Sequence, residues 1–506
     1  MKKNFLTTLI IIASIASFFT IAFSEIETLT KAVILLLLLG ITGWLIHKIA
    51  GIEGYYGLLV LKGEHGFNLM ADIAKKQPKL VRELADFGLT FGFGLPYGYA
   101  LFKKSKKFLL HALISSVFFL FPLLGAPNPA FNQYLLVASG LLFGLFGVTA
   151  YTLVQNAFNI LTIPGSPAGV SVLIPGVTVP YEAIIAIIII AIVHELAHGV
   201  LAHVEKIKIK SSGALLYGFL PIGAFVEPDE EEFKKTEIHK KRRILIAGST
   251  SNFMFFLLFL GLSVIAGLAV SSTIQGVSIA NSTIATITPG LIVQSLDGES
   301  FHSFSEYRNK LVQEAQNDNL ITIKTNEGET EIPATLLAVG KTLDFSINKG
   351  VLTEGEKIHS IDGKQVNSIT DLKTIIDSKQ PNDSLDLQTE NGKKTVFLDD
   401  KKRIGATFQQ VPSIEFKDVP TNEFLYSMLT ILASIITWTF LLNFILASVN
   451  LLPIFVTDGH QIVRDELQNK YGEKGKKIAL AISILFLLTI LINALPALNI
   501  SFPWFS

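Results

Sequence analysis

His194, Glu195 and His198 stand in the order His-Glu-Leu-Ala-His near the end of an apolar run that begins at Tyr181. On an α-helix, residues four apart share a face, so the two histidines can offer imidazole nitrogens to one metal ion. Glu195, one position round, can reach a water on that ion. Five residues are a weak signal alone, because a lone His on an apolar face is more often a satisfied structural residue. Their setting adds weight. Two imidazoles and a carboxylate are costly in hydrocarbon, and ionisable residues at membrane depth usually face a bundle interior or a water-filled cavity for a functional reason.

The chain has no cysteine. Thiolate metal sites and disulfide partners are therefore excluded, and a metal must be held by His, Asp or Glu. A third ligand has to come from elsewhere. His203 follows His198 by five residues, but a continuation as His-x-x-Gly-x-x-His needs Gly at 201 and His at 204, where Leu201 and Val204 stand. Glu227 and the acidic run 229–232 follow Pro221-Ile-Gly-Ala-Phe-Val, which reads as a short extended segment at the membrane surface; an acidic run is usually a solvated face. Asp458 lies in Asn450-Leu-Leu-Pro453-Ile-Phe-Val-Thr-Asp458-Gly459 at the end of an apolar segment. Pro453 is expected to end or unwind that helix, and Asp-Gly to form a tight turn aiming the carboxylate back into the bundle. On the residues alone, Glu227 and Asp458 both remain candidates.

These residues need a scaffold in the bilayer, and the composition supplies one. Of 506 residues, 50% are hydrophobic and only 17% charged, with zero formal net charge and thus no pointer to nucleic acid. Apolar segments occur at 5–23, 32–49, 108–124, 134–154, 181–203, 244–270, 424–449 and 478–498, each near the ~20 residues that span hydrocarbon. The reading is a polytopic α-helical membrane protein with seven or eight spans in the lipid bilayer, expected in the cell membrane. The first segment reads as a signal anchor. The Gly-rich stretch 87–102 is open between a further span, a re-entrant piece and an interfacial segment.

Between 271 and 423 polar, turn-rich sequence takes over. It holds a repeat: Gly290-Leu-Ile-Val-Gln-Ser-Leu-Asp-Gly298 against Gly355-Glu-Lys-Ile-His-Ser-Ile-Asp-Gly363, followed by Phe301, Ser303 and Tyr307 against Val366, Ser368 and Leu372. Each copy reads as strand, Asp-Gly turn, short strand and helix, the helices over 305–313 and 370–378, with closing hairpins at Glu327-Gly328 and Asn391-Gly392. The pair resembles PDZ domains, a tandem α/β insert with copies over 271–340 and 341–423.

With His-Glu-x-x-His at 194–198, Asn-x-x-Pro at 450–453, Asp-Gly at 458–459 and the PDZ-like pair between, the chain resembles the site-2 proteases, zinc-dependent intramembrane metalloproteases. The resemblance implies that His194, His198 and Asp458 bind Zn2+, that Glu195 is the general base, and that Asn450 holds unwound substrate backbone or the developing oxyanion. It implies membrane-spanning protein substrates and regulated intramembrane proteolysis. The segment 221–227 matches the strand-like loop that family members carry after the zinc helix. Ala247-Gly248 and Asn252 fall where the family often has Ala-Gly-Pro-x-x-Asn, Ser249 replacing proline, and Phe455 and Thr457 stand where a second proline and a leucine are common. The implied organisation is an accessory membrane region over 1–180, core halves over 181–270 and 424–506, and the insert between them. Two other classes, a catalytically inert PDZ-bearing membrane scaffold and a metal transporter, give Glu195 no evident task.

Orientation carries a conflict. The basic residues at 234–243 and 464–477 place both loops inside by the positive-inside rule, and the insert outside. Lys2, Lys3 and the basic residues of 48–82 and 103–107 favour the inside as well, yet four spans before Tyr181 put the count out of step by one. A hidden span at 87–102 repairs the count and moves 103–107 outside.

Overall fold

The computed structural model describes residues 2–26, 28–64, 66–124, 129–163, 166–282, 289–300, 306, 320–342, 348, 350–366 and 368–498. The chain forms two compact units, Met1–Ile265 with Ile431–Ser506, and Ala266–Thr430.

The first unit runs through α1 (Lys2–Ala22), α2 (Thr28–Ala50), β1 (Gly54–Tyr55), β2 (Leu58–Gly63), α3 (Phe67–Lys76), α4 (Pro78–Phe93), α5 (Leu95–Phe102), α6 (Lys107–Leu124), α7 (Phe131–Thr162), α8 (Ala183–Val204), β3 (Ile209–Tyr217), β4 (Leu220–Pro228), α9 (Glu230–Lys235) and α10 (Ile238–Ser271). After the insert, which contributes α11 (Ile369–Asp377), it resumes with α12 (Glu423–Val449), α13 (Asp458–Tyr471) and α14 (Glu473–Ala494). Among the described residues, eight helices are long and apolar enough to cross a membrane, namely α1, α2, α6, α7, α8, α10, α12 and α14. They coincide with the eight apolar segments of the sequence, because a chain in hydrocarbon has to satisfy its backbone groups internally.

Two of the apolar stretches do something the sequence hides. At Gly94 (φ 90°, ψ 170°) the chain reverses between α4 and α5, so a Cβ on Gly98 would lie 2.5 Å from the Thr90 side chain. The stretch 87–102 is thus a helical hairpin. The same happens within α7 at Gly144 (φ 68°, ψ −156°). There the Tyr151 hydroxyl lies 3.5 Å from the Asn132 carbonyl, and a Cβ on Gly147 would meet the Ser139 carbonyl oxygen at 2.4 Å. Residues eight apart on a continuous helix are ~12 Å apart, so the two limbs of α7 run antiparallel. The hairpin tips meet backbone to backbone: a Cβ on Gly94 would lie 2.3 Å from the Leu142 oxygen, and one on Gly144 2.3 Å from the Phe91 oxygen. Both contacts need the missing side chain and the left-handed φ of glycine. A hairpin returns to the end from which it started, so α1, α2 and α6 are the candidate spans that can carry the chain across before α8. With three crossings, the basic residues of 48–82, 103–107, 234–243 and 464–477 all fall on one side, and the conflict disappears.

The strand pairing agrees. A four-stranded antiparallel sheet has the order β1-β2-β3-β4, with β2 paired to β3 from Leu58↔Tyr217 to Gly63↔Ser212. The loops before α3 and after α8 therefore share one side. The region 1–180 is packed into the same compact unit as the His helix. Charge holds it there: Arg243 grips Asp86 with Nε at 2.7 Å and Nη2 at 2.8 Å, and Arg82 Nε reaches Glu205 at 2.8 Å. Asp86 and Glu205 are both buried, and two-pronged guanidinium pairs of this kind fix geometry as well as add energy.

The second unit contains β5 (Ile274–Ser282), β6 (Ile292–Leu296), β7 (Leu320–Thr325), β8 (Gly328–Pro333), β9 (Thr335–Thr342), β10 (Lys357–Ile361), β11 (Lys364–Gln365), α11 (Ile369–Asp377), β12 (Ser384–Thr389), β13 (Gly392–Phe397), β14 (Ala406–Pro412) and β15 (Ile414–Pro420). The repeat is visible in its turns. Asp297 (φ 49°) and Asp362 (φ 50°) precede glycines that also have positive φ, and their carboxylates accept from Thr322 N–H at 2.8 Å and Asp386 N–H at 2.9 Å. Hairpins close at Glu327-Gly328 and Asn391-Gly392 as read from the sequence. Ser368 caps α11; the helix expected over 305–313 lies, but for Glu306, outside the described residues.

The division at 340/341 needs correction. Strand β9 pairs with β10 and β14 in a sheet ordered β13-β12-β10-β9-β14, while β15 returns to β5 in a sheet ordered β15-β5-β6-β7-β8. The second domain is nested inside the first. It is entered at Ala334 and left at Ser413, whose N–H donates to the Ala334 oxygen at 3.1 Å. Pairing between strands distant in sequence carries no local signal, which is why the repeat period misplaced the boundary.

Candidate metal centre

On α8, four residues of helix place His194 Nε2 and His198 Nε2 3.2 Å apart. Asp458 Oδ2 arrives from the far end of the chain, 3.0 Å from His198 Nε2 and 3.4 Å from His194 Nε2. The three ligand atoms lie within 4.8 Å of one another, the one such group among the described residues. Glu227 is elsewhere: it sits on β4 with its carboxylate bonded to the Ser211 hydroxyl at 2.5 Å. His203 is likewise outside the group. Two nitrogens and one carboxylate oxygen suit a zinc ion that keeps a fourth position open.

The way Asp458 reaches the histidines differs from the expected turn. Asp458 and Gly459 are the first residues of α13, capped by Thr457, whose hydroxyl accepts from His460 N–H at 3.2 Å. The same hydroxyl donates back to the Leu452 oxygen, so threonine in place of the common leucine ties the two ends of the loop. Gly459 N–H donates to the Asn450 oxygen at 2.9 Å, and a Cβ on Gly459 would lie 2.1 Å from the Leu451 oxygen. The glycine serves close approach. Ser483 on α14 donates to the Pro453 oxygen at 2.6 Å and accepts from His460 Nδ1 at 2.7 Å. Further along α13, Glu466 receives the Tyr97 hydroxyl at 2.7 Å and the Arg242 guanidinium, so the α4–α5 hairpin and α10 set how α13 is rolled.

His198 Nδ1 lies 2.7 Å from the Ile244 oxygen. A carbonyl only accepts, so Nδ1 carries the proton and Nε2 turns its lone pair to the ligand group. His194 Nδ1 is buried without a partner among the described residues. Asn450 Nδ2 donates to Asp458 Oδ2 at 2.5 Å and lies 3.1 Å from His194 Nε2, which puts its amide against the ligand atoms. Glu195 is not one of the ligand group, and its Oε2 accepts from Val226 N–H at 2.9 Å.

Sequence reasoning missed the backbone partners, Ile244 and Val226, because a carbonyl or N–H leaves no mark in residue type. It named Gly248 without its reason. A Cβ there would lie 2.3 Å from His194 Cε1 and 2.5 Å from His198 Nε2, so α10 approaches the histidines too closely for any side chain. Neighbouring Ser249 and Asn252 are buried, their polar side-chain atoms without partners among the described residues.

Residues 182–490 match the family model described as peptidase family M50. A stretch of 306 residues is 28% identical to an uncharacterized protein of Methanocaldococcus jannaschii, covering 60% of this chain and 61% of that protein. The chain thus spans under two thirds of the length of the curated relative it matches.

Proposed function

The chain belongs to peptidase family M50, the site-2 protease family, and we propose that it is a zinc-dependent endopeptidase cleaving transmembrane segments of membrane-anchored proteins. One observation carries the reading: His194, His198 and Asp458 converge beside Glu195, a carboxylate on the same helix that the ligand group leaves free. His194, His198 and Asp458 would hold the zinc, which supplies Lewis acidity toward a carbonyl oxygen and acidifies water. Glu195 takes the proton from the attacking water and hands it to the leaving amine. Val226 N–H aims that carboxylate. The Asn450 amide is placed to donate to the substrate oxygen as charge develops there.

A helical substrate hides its carbonyls in its own hydrogen bonds, so the scissile stretch has to unwind. Strand β4 is an edge strand of its sheet, and an unwound segment can add to it as a further strand. We read the two nested domains of the insert as PDZ-like units that screen substrates by their outer parts. A scaffold or a metal transporter has no use for a base held beside the ligand group. The test is metal content and turnover in proteoliposomes with a single-span reporter. Glu195→Gln is expected to keep zinc and lose turnover, Asp458→Ala to lose zinc, and Glu227→Ala and His203→Ala to keep it. Full activity of Glu195→Gln overturns the reading.

A further inference from the structure

A groove of about 470 Å³ reaches Glu195. Part of its lining is α8, through Ile188 and Ile192, and part is the β4 strand. Ser212, Gly213 and Ala214 of β3 line it as well, and a further wall comes from Leu61 and Lys62 on β2 and Leu69 and Met70 on α3. Leu61, Lys62, Leu69 and Met70 lie outside the 182–490 stretch that matches the family. Two contacts fix this wall in place. Strand β2 is paired to β3 along its whole length. Met70 is seated on Gly199, the residue after His198, where a Cβ would lie 1.9 Å from the Met70 sulfur.

The lining is apolar or small except for Glu195 and Lys62. Lys62 is half-exposed and 3.2 Å from a half-exposed Glu53, a pairing too solvated to remove its positive field from the groove. Leu69 is 53% exposed, so its side chain stands in the open space instead of in the core. A side chain entering beside the scissile bond therefore meets Leu69, which the buried Met70 backs, with a cation at hand.

We infer that Leu61, Lys62, Leu69 and Met70 form the specificity wall of the protease proposed above, restricting cleavage to unwound apolar segments with small side chains next to the scissile bond. Bulky side chains are excluded by volume and basic ones by Lys62. The inference rests on the protease reading and deepens it. Pockets of this kind discriminate by roughly 10- to 200-fold per methylene-scale change, which sets the size of the expected effect.

The experiment uses the full chain in proteoliposomes and four single-span reporters identical except for Ala, Leu, Phe or Lys beside the scissile bond, the bond located by mass spectrometry. Wild type is expected to prefer Ala over Leu over Phe, with Lys least. Leu69→Ala should raise the Phe reporter relative to Ala by roughly 10-fold or more, and Leu69→Trp should depress Leu and Phe while leaving Ala within about 3-fold. Leu61→Ala should shift the ratios in the same direction as Leu69→Ala, and zinc content should stay at the wild-type level in all three. Ratios of kcat/KM that do not move, while wild type cleaves and Glu195→Gln does not, overturn the wall and leave the protease standing. Cleavage of no reporter by wild type overturns both.

Discussion

Adding one methyl group at Gly248 should disable the metal centre without unfolding the protein. A Cβ at this position would lie 2.3 Å from His194 Cε1, 2.4 Å from His194 Nε2 and 2.5 Å from His198 Nε2, against 3.4 Å for ordinary contact. The helix or the rings have to give by about 1 Å, where a metal site tolerates roughly 0.2 Å in its ligand distances. His198 is not free to swing, because its Nδ1 is tethered to the Ile244 oxygen at 2.7 Å. Losing an outer partner of that kind costs about 10- to 100-fold in metal affinity, and a misplacement of about 1 Å costs on the order of 100-fold in rate. Helix propensity acts in the opposite direction, since Gly→Ala inside a helix stabilises by about 1 kcal/mol. Gly261→Ala on the same helix is the control, with nothing within 4 Å of its added Cβ. Zinc per chain at fixed free zinc, thermal stability and reporter cleavage are measured together. We expect Gly248→Ala to fold, bind zinc at least about 10-fold more weakly and lose about 100-fold or more in turnover, with Gly261→Ala unchanged. A Gly248→Ala protein that holds zinc and cleaves like wild type would refute the argument that backbone proximity shapes this site.

The chain's lack of cysteine makes every introduced one a unique reporter of sidedness: Ala130→Cys and Val172→Cys should react with an impermeant maleimide from the same side, and Lys104→Cys from the other, whereas opposite sides for 130 and 172 would mean that α7 crosses. Replacing 335–412 by a two-residue linker should leave the outer sheet intact, because Ser413 N–H and the Ala334 oxygen are already 3.1 Å apart; loss of amide protection in β5–β8 by hydrogen exchange would contradict the nesting. Buried Glu356 resists ionisation through desolvation, yet Lys394 at 2.7 Å, the Thr389 hydroxyl and Thr353 N–H hold its pKa below the ordinary 4.5. Its contribution to stability is therefore complete above about pH 4.5 and is lost as pH falls through the lower folded value. Hydrogen exchange of the inner domain should show acid loosening that Glu356→Gln reduces, and Lys394→Met, which strands a buried charge, should destabilise that domain by about 3 kcal/mol at pH 7.

The chemistry was legible where residue type and spacing coincide. His194 and His198 are four apart on an uninterrupted apolar run, and Asp458 follows the one proline of its loop; both are local patterns, and the structure brings the three together. The eight apolar segments were legible for the same reason. The reversal at Gly144 was not, because a glycine inside an apolar stretch reads as a tolerated helix residue, and only the contacts between the two limbs, Tyr151 with Asn132 and Gly147 with Ser139, show that the chain turns back. Strand β2 was invisible as a partner of β3 across some 150 residues, so the first 180 residues read as an accessory membrane region although Leu61, Lys62, Leu69 and Met70 among them line the groove at Glu195. The Asp-Gly pair was misread as a turn because Thr457, an N-cap residue, was weighed only as a departure from a family pattern.

The nesting of one domain inside another also sets an order in time. Strand β15 begins more than 130 residues after β5 ends, and at roughly 5–20 residues per second a ribosome needs on the order of ten seconds to bridge that gap. Throughout it β5 presents an unpaired edge, the kind of template that recruits strands from neighbouring chains. All of the inner domain, β9 to β14, emerges within the same window and can close on itself. Once it does, Ala334 and Ser413 are neighbours and the loop that β15 has to close shrinks from about 130 residues to about 50, an entropic gain of only ~0.8 kcal/mol. Closure thermodynamics barely change, so what protects the nascent outer sheet is speed: a slow inner domain leaves β5 open to the next chain on the same polysome.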